Sequence, residues 1–309
     1  MQGGTSGHVS LGLAFLIIGI WHLFNSIKHH SQSHLHPKTY ISLPWYPAPR
    51  FKYLEPITII FVTTIFIAME LFVGRHPTAP DGTIPAKNLR HLEHSIIALS
   101  FSLYASFAIL LDRISPPAQL GLLHLMQAMA FAQQLLILHL HSTDHMGVEG
   151  QYHWLLQIVT SISLIATLLV IGNPRSFLSS FVRGFSVVFE GVWLLVMGVM
   201  LWTPEWLPKG CYLKSEVGRD VVLCRGDRAL DRAKALVNLE FGLCLIVLTV
   251  FVMVFYLVVI KLYPQEKVEY RSLTKLTFQE EEEAYGDNCD LGTQHTHAGP
   301  SISRSSLSI

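Results

Sequence analysis

The chain predicts an all-α, polytopic membrane protein, a seven-transmembrane-helix bundle followed by a disordered tail. Three observations predict it. Seven separate stretches run apolar for the roughly 20 residues that one helical crossing of a bilayer needs. These runs are continuous rather than alternating, so each segment satisfies its backbone hydrogen bonds as a helix and not as a barrel strand. The composition, 50% hydrophobic and 14% charged over 309 residues, with a mean hydropathy of +0.41, lies far from that of a soluble domain.

The first crossing is expected at about 9–27, with no basic residue before it and no small-residue cleavage site after it, so a cleavable leader is not expected. The second spans about 54–73, opening on Glu55-Pro56, where a carboxylate offsets the helix dipole and proline fits the first turn. The third, 92–111, ends before Pro116-Pro117, and the fourth spans 120–140. The fifth, 152–172, is parted by Asn173-Pro174 from the sixth, 177–202, which Pro204 and Pro208 close, and the seventh is 236–260. Residues 1–263 form one membrane domain on this reading. From Pro264 the chain turns polar, with an acidic run at Glu280–Glu283 and a serine-rich end, so 264–309 is expected to be a disordered cytosolic tail.

Charge narrows the partners. The 22 basic and 22 acidic residues cancel, which gives no basic field for nucleic acid and leaves the lipid bilayer as the predicted partner. Basic residues divide almost evenly between the two sides, and Lys28 directly after the first helix favours an outside N-terminus and a cytosolic tail. Cys211 and Cys224 then share one polar loop on the far side, where a disulfide can form.

Ionisable side chains inside apolar runs cost about 2.5–3.5 kcal/mol each on insertion scales and mark functional candidates. The densest group lies between the fourth and fifth helices, where His139, His141, Asp144, His145, Glu149 and His153 fall within 139–153. On one continuous helix His141, His145, Glu149 and His153 would share a face, but Gly147 and Gly150 favour a turn. Imidazole and carboxylate are the ligands that a divalent metal such as zinc accepts. His91 and His94, three apart on the third helix, would join such a set, whereas the alternative is interfacial or proton-sensing histidines. Glu70, Glu190 and Glu240 are expected to face the bundle interior. His8 belongs to the same end as His91, His94 and the 139–153 group, and His22 to the other. Gln127, Gln133, Gln134 and Gln157 are read as helix-to-helix links, and Trp21, Trp154, Trp193, Trp202 and Trp206 as interface anchors.

The order of short patterns is distinctive. Gly7-His8 precedes Ile17-Ile18-Gly19-Ile20-Trp21; Glu55 stands with Ile57-Thr58-Ile59 and Glu70; His94 follows in the third helix. His139-Leu140-His141, His153-Trp154-Leu155-Leu156 and Gly191-x-Trp193 complete it. Over roughly 7–262 this resembles the transmembrane protein 45 family, the domain-of-unknown-function 716 family, and the Ser142–Tyr152 segment with the serine-rich tail resembles its plant members. The resemblance implies a multi-pass membrane protein, with relatives associated with Golgi, endosomal and other endomembranes, and supplies no catalytic mechanism; an endomembrane or the plasma membrane is the expected location.

Three functions follow as expectations. One is a non-enzymatic membrane component in trafficking or signalling whose buried His/Glu set tunes the bundle. The second is a metal-dependent hydrolase, with His91, His94, His141 and His153 on the metal and Glu149 or Asp144 activating water. The third is a proton-linked transporter or channel using Glu70, Glu190 and the histidines as a relay.

Overall fold

A computed structural model describes residues 3–33, 40–73, 81–142, 147–216 and 219–263. The tail from 264 onward lies outside the described residues, as do Asp144, His145 and the side chain of His141. Seven helices long and apolar enough to cross a membrane are present among the described residues. They are α1 (Gly3–Ser33), α2 (Leu54–Ala68), α3 (Ala86–Ile114), α4 (Gln119–Ser142), α5 (Gly147–Gly172), α6 (Phe177–Met200) and α7 (Asp227–Leu262).

Local chemistry sets the helix ends. Ser115, at φ 54°, stops α3 ahead of Pro116-Pro117. Ser176 caps α6, its Oγ accepting from the Ser179 N–H at 3.2 Å, the contact that satisfies a free amide of the first turn. Asp227 opens α7 and Lys261 closes it, each placed to oppose the helix dipole. The fourth and fifth crossings are separate helices: α4 stops at Ser142 and α5 starts at Gly147, whose φ of +82° suits glycine, with Gly150 inside α5. At its far end α2 runs into a π-helical turn, Met69–Val73, an extra-residue device common at functional positions.

The polar segment between α6 and α7 has structure of its own. Strands β1 (Cys211–Glu216) and β2 (Arg219–Cys224) pair antiparallel with Cys211 opposite Cys224, and a disulfide joins those two residues. The polar loop expected here is a hairpin, whose six-residue strands of mixed polarity give only a faint alternating signal in the sequence.

Helices α2, α3, α4, α5, α6 and α1 follow one another as neighbours around an internal cavity, and α7 lies outside against α5, α1 and α6. The tightest pair is α1 with α6. Gly12 and Gly19 on α1 and Gly184, Gly191 and Gly198 on α6 each recur at seven residues and meet the partner helix directly. A Cβ on Gly19 would stand 2.6 Å from the Val188 backbone nitrogen, and one on Gly12 would stand 2.9 Å from the Gly191 carbonyl oxygen. Small residues that admit close backbone approach supply helix association where lipid removes the hydrophobic drive.

The apolar core sits where α5, α6 and α7 converge, around Leu156, Val188, Trp193, Met197, Ala233 and Val237. Trp193 is wholly buried, its indole N–H donating to the Tyr152 carbonyl at 3.1 Å and its ring packed on Tyr152 and Phe241. It is a core residue and not the interface anchor expected of it. Conversely Phe61, Phe72, Leu239, Leu243, Ile246 and Val247 point outward. Apolar side chains spread over the outside of every long helix suit a lipid solvent and would be an aggregation liability in water. The chain is a multi-pass membrane protein.

Candidate functional site

A cavity of about 230 Å³ runs inside the helix ring, lined by side chains from α1 through α6. Its walls are mostly apolar, including Phe15, Ile59, Val62, Phe101, Phe131 and Leu156. Polar groups gather at its two ends and at one point between them.

At the end formed by the C-terminal half of α1, Glu55 is buried and fully engaged. Its Oε1 lies 2.7 Å from His22 Nε2, and its Oε2 accepts from Trp21 Nε1 at 3.0 Å and from the Tyr46 N–H at 2.9 Å. Glu55 therefore locks α2 and the 40–53 segment onto α1, a stronger role than the helix-dipole partner its position suggested. Arg183 stands beside it, 2% exposed on α6. Its Nη1 donates to Gln127 Oε1 and His124 Nδ1, both at 3.0 Å, and its Nη2 to the Leu43 carbonyl at 2.7 Å. A guanidinium has no acceptor, so His124 accepts at Nδ1 and carries its proton on Nε2, which donates to the Ser42 carbonyl at 3.2 Å. Arg183 Nε, also buried, has no hydrogen-bond partner. Ser180 Oγ donates to Ser42 Oγ at 2.6 Å, and the Ser42 N–H to the Pro174 carbonyl at 2.8 Å, which ties the 40–53 segment to the start of α6.

The opposite end collects His8, Glu70, His91, His94 and His153; of the other residues expected there, Asp144, His145 and the side chain of His141 lie outside the described residues. The π-helical turn brings Glu70 to α3, where His91 Nδ1 hydrogen-bonds its Oε2 and His94 Nδ1 lies 3.7 Å from its Oε1. Across the cavity, His8 packs on Trp202 at 4.9 Å and edge-on to His153 at 6.0 Å between ring centroids. His153 is buried and donates through Nδ1 to the Glu149 carbonyl at 2.9 Å. His8, Glu70, His94 and His153 all line the cavity. Among the described residues no group of three His, Cys, Asp or Glu side chains is arranged to hold one metal ion. His139 lies farther out, its Nδ1 3.2 Å from Gln157 Oε1. Glu240 is half-buried outside the ring and accepts from the Tyr152 hydroxyl at 2.6 Å.

Between the ends, Glu190 is wholly buried in α6. Gln134 Nε2 donates to its Oε1, Thr160 Oγ1 lies within 3.1 Å of the same oxygen, and Ser163 Oγ lies 3.5 Å from Oε2. Ser163 also reaches Ser186 Oγ at 2.9 Å, so a hydroxyl seam joins α5 to α6. Gln134 borders both this seam and the cavity.

Sequence reading missed Arg183 and His124. Arg183, Val187, Glu190 and Leu194 recur on one helical face, as do His124, Gln127, Phe131 and Gln134. That phase is the signal that places both inside.

The fold and cavity define a multi-pass membrane protein with a polar-ended internal chamber. Residues 120–257, from α4 nearly to the end of α7, match the model of DUF716, a family of unknown function. A comparison with curated proteins finds no match.

Proposed function

We propose that the protein is a non-enzymatic membrane component that holds an amphiphilic ligand inside its helix ring, and that the trafficking or signalling role expected from the sequence uses this binding. The observation that carries the reading is the cavity itself, apolar along its length and polar at its ends. Ligand sites are of this kind, concave and mostly apolar with a few polar groups that fix orientation. Its location inside membrane-length helices makes membrane lipids and their breakdown products the accessible ligand pool. A ligand that binds only the folded state stabilises it by mass action, by about 2.7 kcal/mol at one hundred times its dissociation constant. Thermal unfolding of the detergent-purified protein, titrated with single-chain lipids, therefore tests the reading. We expect a saturable rise in melting temperature that disappears in Ala98→Trp, which fills the cavity from α3. No rise with any lipid contradicts it.

A second reading rests on one observation, the buried Glu190 with its hydroxyl seam. Intramembrane carboxylates linked by hydrogen bonds serve proton relays. Proteoliposome flux that follows a pH gradient and vanishes in Glu190→Gln supports this reading. The metal-dependent hydrolase expected from the sequence draws on His141 and Asp144 beyond the described atoms. Stoichiometric zinc in the purified protein, lost on substitution of His141 or His153, would support it.

A further inference from the structure

We infer that the ligand is a single-chain amphiphile with an anionic head, bound head-first at Arg183 and admitted sideways between α1 and α2; this rests on the cavity-binding reading above. Four observations converge on it.

The first is the state of Arg183. Its partners are a neutral imidazole nitrogen, an amide oxygen, a hydroxyl and a carbonyl. Among the described residues no carboxylate lies within ion-pair distance of it. A guanidinium buried without a counter-ion is costly to keep, and its Nε–H, which lacks a partner, belongs to a residue that lines the cavity. An oxygen anion in the chamber supplies both the missing acceptor and the missing charge, the pairing at which arginine excels.

The second is that the neighbouring carboxylate does not fill that role. Glu55 also lines the cavity, but its two oxygens are held by Trp21, His22 and the Tyr46 N–H. The Tyr104 hydroxyl, which also borders the chamber, is turned to the Pro44 carbonyl at 2.5 Å. The third is size. At about 230 Å³ the chamber falls below the roughly 300–1,000 Å³ of drug-sized sites, which suits one slender chain and not a two-chain lipid.

The fourth is access. Beyond the Glu55 contacts with Trp21 and His22, α1 and α2 scarcely touch, whereas α1 is clamped to α6 along its length. Ile17 on α1 and Thr58 on α2 are each exposed on the outer surface and also line the cavity. The same two residues facing both lipid and chamber mark a lateral opening. Ile17 precedes His22 by five residues, about 7.5 Å of helix rise, so the opening lies near the Arg183 end.

Photoaffinity labelling of the full-length protein in nanodiscs tests this. The probes are a long-chain fatty acid with a diazirine in the chain, the matching fatty alcohol and a matching lysophosphatidate, with labelled peptides quantified by mass spectrometry. We expect the two anionic probes to label cavity residues of α3 and α4 about tenfold more than the alcohol, the ratio that one charge-assisted hydrogen bond supports. A preference between carboxylate and phosphate then names the head. Arg183→Gln should bring the acid down to the alcohol's level, Arg183→Lys should keep part of the difference, and Ile17→Trp should slow labelling without changing the ratio. Equal labelling by acid and alcohol in the wild type, a measurement that needs no variant to fold, overturns the head-group assignment and leaves the cavity reading standing. Inorganic phosphate that displaces the acid and by itself stabilises the protein as strongly also overturns it, because the chain would then be dispensable. Unchanged labelling rates in Ile17→Trp overturn the lateral opening. No labelling of the cavity by any probe overturns both readings.

Discussion

Gly191 of α6 rests directly on Leu16 of α1, so closely that a single added carbon would overlap the Leu16 backbone nitrogen. The colliding atoms are backbone on both sides, so no side-chain rotation relieves the clash. This contact sits at the centre of the interface that fixes α1 to α6, whereas α2 holds α1 chiefly at the Glu55 end.

Gly191→Ala should therefore separate α1 from α6 and destabilise the bundle by about 1–3 kcal/mol or more, the range for overpacking a filled interior. Gly242→Ala on α7, where an added carbon meets nothing within 4 Å, is the control and should be neutral or slightly stabilising. Melting temperatures in detergent, with size-exclusion profiles to confirm monodispersity, measure both.

Glu55→Ala removes the common acceptor of Trp21, His22 and the Tyr46 N–H. Breaking a buried, hydrogen-bonded ionisable pair by deleting one member costs about 3–5 kcal/mol. Glu55→Gln keeps an oxygen to accept from Trp21 or Tyr46 and should cost clearly less. Equal losses in the two variants would show that the retained amide oxygen recovers nothing and that the charge and second oxygen carry the whole effect, since glutamine fills the same space.

The Cys211–Cys224 disulfide closes a separation of 13 residues, and loops of about this length gain roughly 3 kcal/mol from such a link in the chain-entropy description. Dithiothreitol, or Cys211→Ser with Cys224→Ser, should lower the melting temperature of the β-hairpin and the adjoining start of α7. Hydrogen exchange should place the loosening at 211–240 and leave the α1–α6 interface unchanged.

Glu190→Gln should preserve the fold, because Thr160 and Ser163 can turn their hydroxyls to serve the amide. Proton flux through wild-type proteoliposomes should be absent on the ligand-binding reading. A flux that disappears in this variant favours the relay instead.

Hydropathy made the helices legible. Lipid as solvent demands long apolar runs, so each expected crossing falls on one of the seven helices; several reach beyond it into polar residues such as Gly3 of α1 and Asp227 of α7, whereas α2 gives way to the π-helical turn after Ala68 and α6 ends at Met200, short of 202. The gathering of His8, Glu70, His94 and His153 at one end followed from counting crossings. What hydropathy conceals is direction around each helix. Arg183 lies seven residues from Glu190 and His124 three from Gln127, and only that phase shows them facing inward. The glycine ladder was hidden for a different reason: its meaning depends on α1 meeting α6, a pairing between the first and sixth crossings that no local pattern specifies. The π-helical turn beneath Glu70 likewise left no mark on the apolar run that carries it.

Native mass spectrometry of the protein released from its own membrane measures the central claim most directly. We expect the seven-helix chain to carry a retained adduct with the mass of one single-chain lipid, present in the wild type and missing from Ala98→Trp of equal monodispersity. A wild-type chain that emerges bare under conditions that keep its fold, or an adduct unaffected by filling the cavity, would contradict it.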